Sequence, residues 1–124
     1  MTPLNQRIKL STACGWWGIR TNIHGELIGG RPNTQNCGEP INIAIPDYDD
    51  LNEIHNAEIM CGLHNRDNMQ LRVRWVNILR DVVAPRCPVN KFGTPLVSDI
   101  DIYQATAAER TEALLRALKL WEEE

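Results

Sequence analysis

Apolar residues recur at helical spacing through two neighbouring stretches of the chain. Leu51, Ile54, Ala57 and Cys61 fall three or four residues apart, and so do Met69, Val73, Val76, Leu79 and Val83. Leu71, Trp75, Ile78 and Val82 add a second stripe to the later stretch, so a helix there must be covered on two sides. Each stretch opens on a start signal. Asp50 is followed three residues on by Glu53, and Asp67 three residues on by Gln70. The cap side chain accepts from N–H groups of the first turn, while the later Glu or Gln reaches back to the cap. Residues 62–66 are short enough to fold the two helices back as an antiparallel pair over 49–83, the centre of a small helical core. A third stripe, Ala113, Leu114, Ala117, Leu118 and Trp121, follows the capping box from Thr106 to Glu109 and predicts a C-terminal helix over about 106–121.

Elsewhere the pattern is weaker. Thr2-Pro3 suits a helix start, and Gly15 or Gly18 its end. Of the adjacent Trp16 and Trp17, one is expected to anchor the core and the other to cover its edge. Residues 21–46 are dense in Gly, Pro and Asn and hold no period, so they read as a long irregular loop. Gly29-Gly30 lacks the surrounding pattern of a phosphate loop. Prolines after Val83 stop the helix, and Thr94-Pro95 offers another start. The expected fold is mainly α: a small single-domain helical bundle, 1–124, with a long Gly/Pro/Asn-rich loop.

Composition narrows the function. No apolar run approaches the roughly 20 residues that span a bilayer, and the N-terminus has no signal-peptide core, so the expectation is a cytoplasmic protein without a membrane partner. The cysteines Cys14, Cys37, Cys61 and Cys87 form no CxxC pair and read as free thiols. With no Ser–His or Cys–His signature, no enzyme is expected. His55, Cys61 and His64 are ligand types near the hairpin turn, but helical spacing strains any shared geometry. No metal or cofactor is therefore expected. Asp47, Asp49, Asp50 and Glu53 include caps and do not follow an EF-hand pattern.

Charge is blocked along the chain. Residues 1–46 carry +2, 47–65 carry −5, 66–98 carry +4 and 99–124 carry −4. The basic block is Arg66, Arg72, Arg74, Arg80, Arg86 and Lys91 against Asp67 and Asp81. Such a local patch can dock phosphate even on an acidic chain.

Taken in order, CGWWGIR (14–20), GELIGGRPNTQNCG (25–38), DYDDLNEIHNAEIMCGL (47–63), the arginine-rich helix 66–83 and the segment 90–118 resemble, in layout, the small antitermination protein Q family of lambdoid phages. The resemblance implies a phage-type transcription regulator that binds DNA and host RNA polymerase. It also implies a C-terminal helix-turn-helix. Here that motif is degenerate, because a groove-reading helix wants Arg, Lys, Asn or Gln near its start and this chain offers Leu96, Val97, Ser98, Asp99, Asp101 and Gln104 there. The two aspartates would repel phosphate. Phosphate contact is then expected from Arg66, Arg72, Arg74, Arg80, Arg86 and Lys91. The alternative is a non-enzymatic inhibitor or accessory module that engages a basic protein through acidic residues in 47–58 and 99–124. A homodimer seam of Leu114, Leu118 and Trp121 is compatible with either.

Overall fold

Helix α1, Pro3–Ala13, begins where Thr2 Oγ1 accepts from the Asn5 N–H, and ends at Cys14. Gly15, at φ +96°, then turns the chain into a strand. The computed structural model describes residues 1–123, and among these the elements form a mixed α/β fold rather than the expected mainly α bundle. Strands β1 (Trp17–Thr21), β2 (Leu27–Gly30) and β3 (Ile43–Ala44) make a three-stranded antiparallel sheet in the order β1-β2-β3. The β1–β2 hairpin is closed by Asn22, whose side chain accepts from the N–H groups of His24 and Glu26, with Gly25 at φ +77°. All four residues of β2 are buried. The supposed 21–46 loop therefore contributes two of the three strands, with irregular chain between them.

Helix α2, Leu51–Met60, is capped by Asp50, and Glu53 reaches back to the Tyr48 N–H. Helix α3, Met69–Val83, follows a 3-10 turn at Arg66–Asn68. Its entry is set by Asn65, which accepts from the Asp67 N–H, so the expected Asp67 cap is replaced. The chain then runs irregularly, with an Asn90–Gly93 turn bridged by Val89 and Pro95. No helix starts at Pro95. Helix α4, Asp99–Tyr103, is only five residues long, and α5, Ala107–Ala117, is closed at its start by a box between Thr106 and Glu109. A five-residue acidic helix is no groove-reading element, so the degenerate helix-turn-helix is also corrected.

The hub of the packing is α5 and not α3. Ala113, Leu114, Leu115 and Ala117 are fully buried, and their small or flexible side chains let α1, α2 and α3 all approach one helix. Helices α2 and α3 share little contact, so they do not form the expected antiparallel pair. One core cluster joins Leu10, Leu27, Ile45 and Ile54 to Leu114 and Leu115; another joins Leu79, Val83, Cys87 and Ala105 to Ala113. Leu114 is fully inside, while Leu118 and Trp121 are half-buried against the same core. Among the described residues, no helix is long and apolar enough to cross a membrane.

Candidate functional site

The basic residues singled out from the sequence divide sharply. Arg74 turns inward, its Nη1 donating to the Ala117 carbonyl at 2.7 Å and closing the end of α5. Arg86 makes a two-pronged pair with Glu109, at 2.7 Å and 3.0 Å, and also donates to the Asp101 carbonyl. That partner pulls the Glu109 carboxyl below its ordinary value. Lys91 lies over the Phe92 ring in the exposed turn. Arg66, Arg72 and Arg80 remain exposed.

Most other basic side chains are engaged as well. Arg7 donates to the Ile45 and Pro46 carbonyls and pairs with Asp47, while Arg20 binds the Gly18 and Ile41 carbonyls and the Asn42 side chain. Arg31 pairs with Glu39, and Lys9 with Glu122. Arg110 grips Glu58, and Arg116 pairs with Glu112 and Glu123. Among the described residues, the only arginines whose side chains make no hydrogen bond, ion pair or ring contact are Arg66, Arg72 and Arg80. All three belong to the 3-10 turn and α3.

Along α3, Arg72 and Arg80 are separated by a rise of about 12 Å and by about 80° around the axis. Between them lie Val73 and Val76, with Asn77 to one side. Met69 and Val73 are 57% and 52% exposed, although both belong to the stripe expected to be buried. A shallow cleft of about 260 Å³ runs beside Met69, Arg72, Val73, Val76 and Asn77. The face is therefore basic, apolar and amide-bearing, and both Arg72 and Arg80 are exposed.

The acidic residues show the reverse. Asp50 and Glu53 serve the start of α2, and Asp47, Glu58, Glu109, Glu112, Glu122 and Glu123 are ion-paired within the chain. Asp101 is held below its ordinary value chiefly by the Ser98 backbone N–H.

The His55/Cys61/His64 grouping is rearranged. Cys61 turns away to Cys14, with their sulfurs 4.0 Å apart, and the interaction pushes the Cys14 thiol up and the Cys61 thiol down. Glu58 takes its place: one ligand atom each from His55, Glu58 and His64 lies within 4.8 Å of the others. Sequence reading missed Glu58 because its partner Arg110 is 52 residues away, beyond any local pattern. No family model, curated protein or solved structure matches this chain.

Proposed function

We propose that the protein is a nucleic-acid-binding regulator, of the transcription-factor kind implied by its layout, and that α3 is its docking element. The observation that supports this is that all three unengaged arginines fall in one continuous stretch, Arg66 in the 3-10 turn and Arg72 and Arg80 on the exposed side of α3. An α-helix fits a major groove about 12 Å wide, comparable with the rise between Arg72 and Arg80. In that arrangement Arg66, Arg72 and Arg80 neutralise phosphates, Asn77 offers an amide to an adenine edge, and Met69 and Val73 offer apolar contact to thymine methyls. Arg74 and Arg86, engaged with Ala117 and Glu109, leave the expected set of contacts. The acidic-surface alternative has less support, because most of its carboxylates are already paired.

Binding to a fluorescent duplex, followed by anisotropy as salt rises from about 50 to 200 mM, tests the reading. Three neutralised phosphates give a log–log slope of about −2.7, at roughly 0.9 per phosphate. Replacing Arg72→Ala and Arg80→Ala together should flatten the slope by about 1.8 and weaken binding to all sequences. The same change at exposed Lys119 should leave it alone. An unchanged slope in the double variant overturns the proposal. Retention of a protein partner after nuclease treatment, with no affinity for duplex, supports the acidic-surface alternative instead.

A further inference from the structure

A second site lies at the end of α2. His55 and Glu58 are three residues apart on that helix, so they share a face. The helix ends with the Gly62 N–H on the Ile59 carbonyl and the Leu63 N–H on the Glu58 carbonyl, with Gly62 at φ +88°. This reversal brings His64 back over the last turns, its ring edge-to-face with His55 at 5.2 Å between centroids. Glu58 is 1% exposed, yet its Oε1 stands 3.7 Å from His55 Nδ1. Arg110 donates to both of its oxygens, at 3.0 Å and 2.6 Å, from the hub helix.

We propose that His55, Glu58 and His64 form a binding site for a divalent cation of the zinc class. Two imidazole nitrogens and one carboxylate oxygen are the donors that borderline first-row ions prefer over calcium or magnesium. Bonds of about 2.0–2.2 Å in a tetrahedron place ligand atoms roughly 3.5 Å apart. The three donor atoms already lie within 4.8 Å of one another, and because both imidazoles are exposed the remaining approach falls to their side chains while Arg110 holds Glu58. Each carboxylate oxygen has a second lone pair, so Arg110 occupies one on each and leaves the other free. An arginine hydrogen-bonded behind a ligating carboxylate is an orienting outer-shell partner. Glu58 and His64 also border a cleft of about 150 Å³, lined further by Arg72 and Trp75, which gives a bound ion room for water or an anion as a fourth ligand. The three protein ligands take no part in the nucleic-acid reading, although Arg72 borders both sites.

Isothermal titration of Zn²⁺ into the chelator-treated full-length chain, with Co²⁺ absorption as an optical probe, tests it. The expected result is one saturable equivalent per chain. His55→Ala and His64→Ala should each weaken it about 100-fold or more, beyond the 10- to 100-fold that outer-shell partners carry. Both histidines are exposed, so the variants should keep the wild-type circular dichroism. Cys37→Ser and Cys61→Ser should bind as the parent does. Absence of saturable binding, survival of binding in both histidine variants, or its loss with either cysteine overturns the proposal.

Discussion

A methyl group added to Gly30 would sit 2.1 Å from Cε2 of the Trp17 indole. The ring cannot easily retreat, because its Nε1 donates to the Arg31 carbonyl at 3.0 Å and to the Thr34 hydroxyl oxygen at 3.2 Å. Trp17 and Gly30 are also cross-strand partners, so the clash lies at the open end of the hairpin, between paired backbones. Gly30→Ala should therefore cost about 1–3 kcal/mol, the usual range for overpacking, read as a lower urea midpoint with an unchanged slope. Full stability would mean that the indole lies elsewhere. Single residues were unevenly legible. Asp50 and Thr106 announce themselves as caps, since their partners sit three residues on. Glu58 reads from the sequence as an ordinary polar position, because only Arg110, far along the chain, lets a carboxylate be buried there.

Elements were legible where their signals are local. Helices α1 and α2 end in the same reversal, with Gly15 and Gly62 in the left-handed region, and both glycines are visible in the sequence. Helix α5 ends in it too: the Lys119 N–H meets the Arg116 carbonyl, and the Leu120 N–H meets the Leu115 carbonyl. The left-handed residue here is Lys119, at φ +62°, so nothing in the composition marks a stop and periodicity carries the expected helix on to Trp121. The sheet escaped notice for a related reason. Pairing shifts between Trp17 and Arg20, with Gly18 at φ +58°, so β1 breaks the two-residue alternation that identifies a strand. Strand β3, two residues long, carries no period at all. Left-handed backbone costs an L-residue roughly 1–2 kcal/mol, and glycine escapes that while losing more chain entropy on folding. Lys119→Gly should accordingly raise stability by up to about 1 kcal/mol, seen as a higher melting temperature. A drop would show that the lysine's own contacts outweigh the strain.

Across the whole molecule, the charge blocks of the sequence become a network that ties distant segments to the hub helix. Block arithmetic counted six cations as one patch; folding ties Arg74 and Arg86 to α5 and leaves Arg66 in the 3-10 turn and Arg72 and Arg80 on α3 unengaged, a division set by tertiary contacts that no local pattern encodes. Arg86 is the clearest case, joining the turn after α3 to Glu109 on α5 and to the Asp101 carbonyl in α4. Its guanidinium is the main cause that holds Glu109 below the ordinary carboxyl value of 4.5. A carboxyl depressed in the folded state stabilises the fold above its unfolded value and loses that contribution as pH falls through the folded one. Asp101 has the same sign, whereas Glu53, raised mainly by burial, has the opposite one. The wild-type profile therefore mixes terms, and the informative quantity is its difference from Arg86→Ala. That gap in melting temperature should be widest near pH 7, shrink as pH drops below about 4.5, and nearly close once Glu109 is protonated in both proteins. Because the pair is partly exposed, salt should narrow the gap at pH 7 as well. A gap that stays constant from pH 7 to about 3 would mean that Arg86 acts through packing or through the Asp101 carbonyl, and that the bridge to α5 contributes nothing.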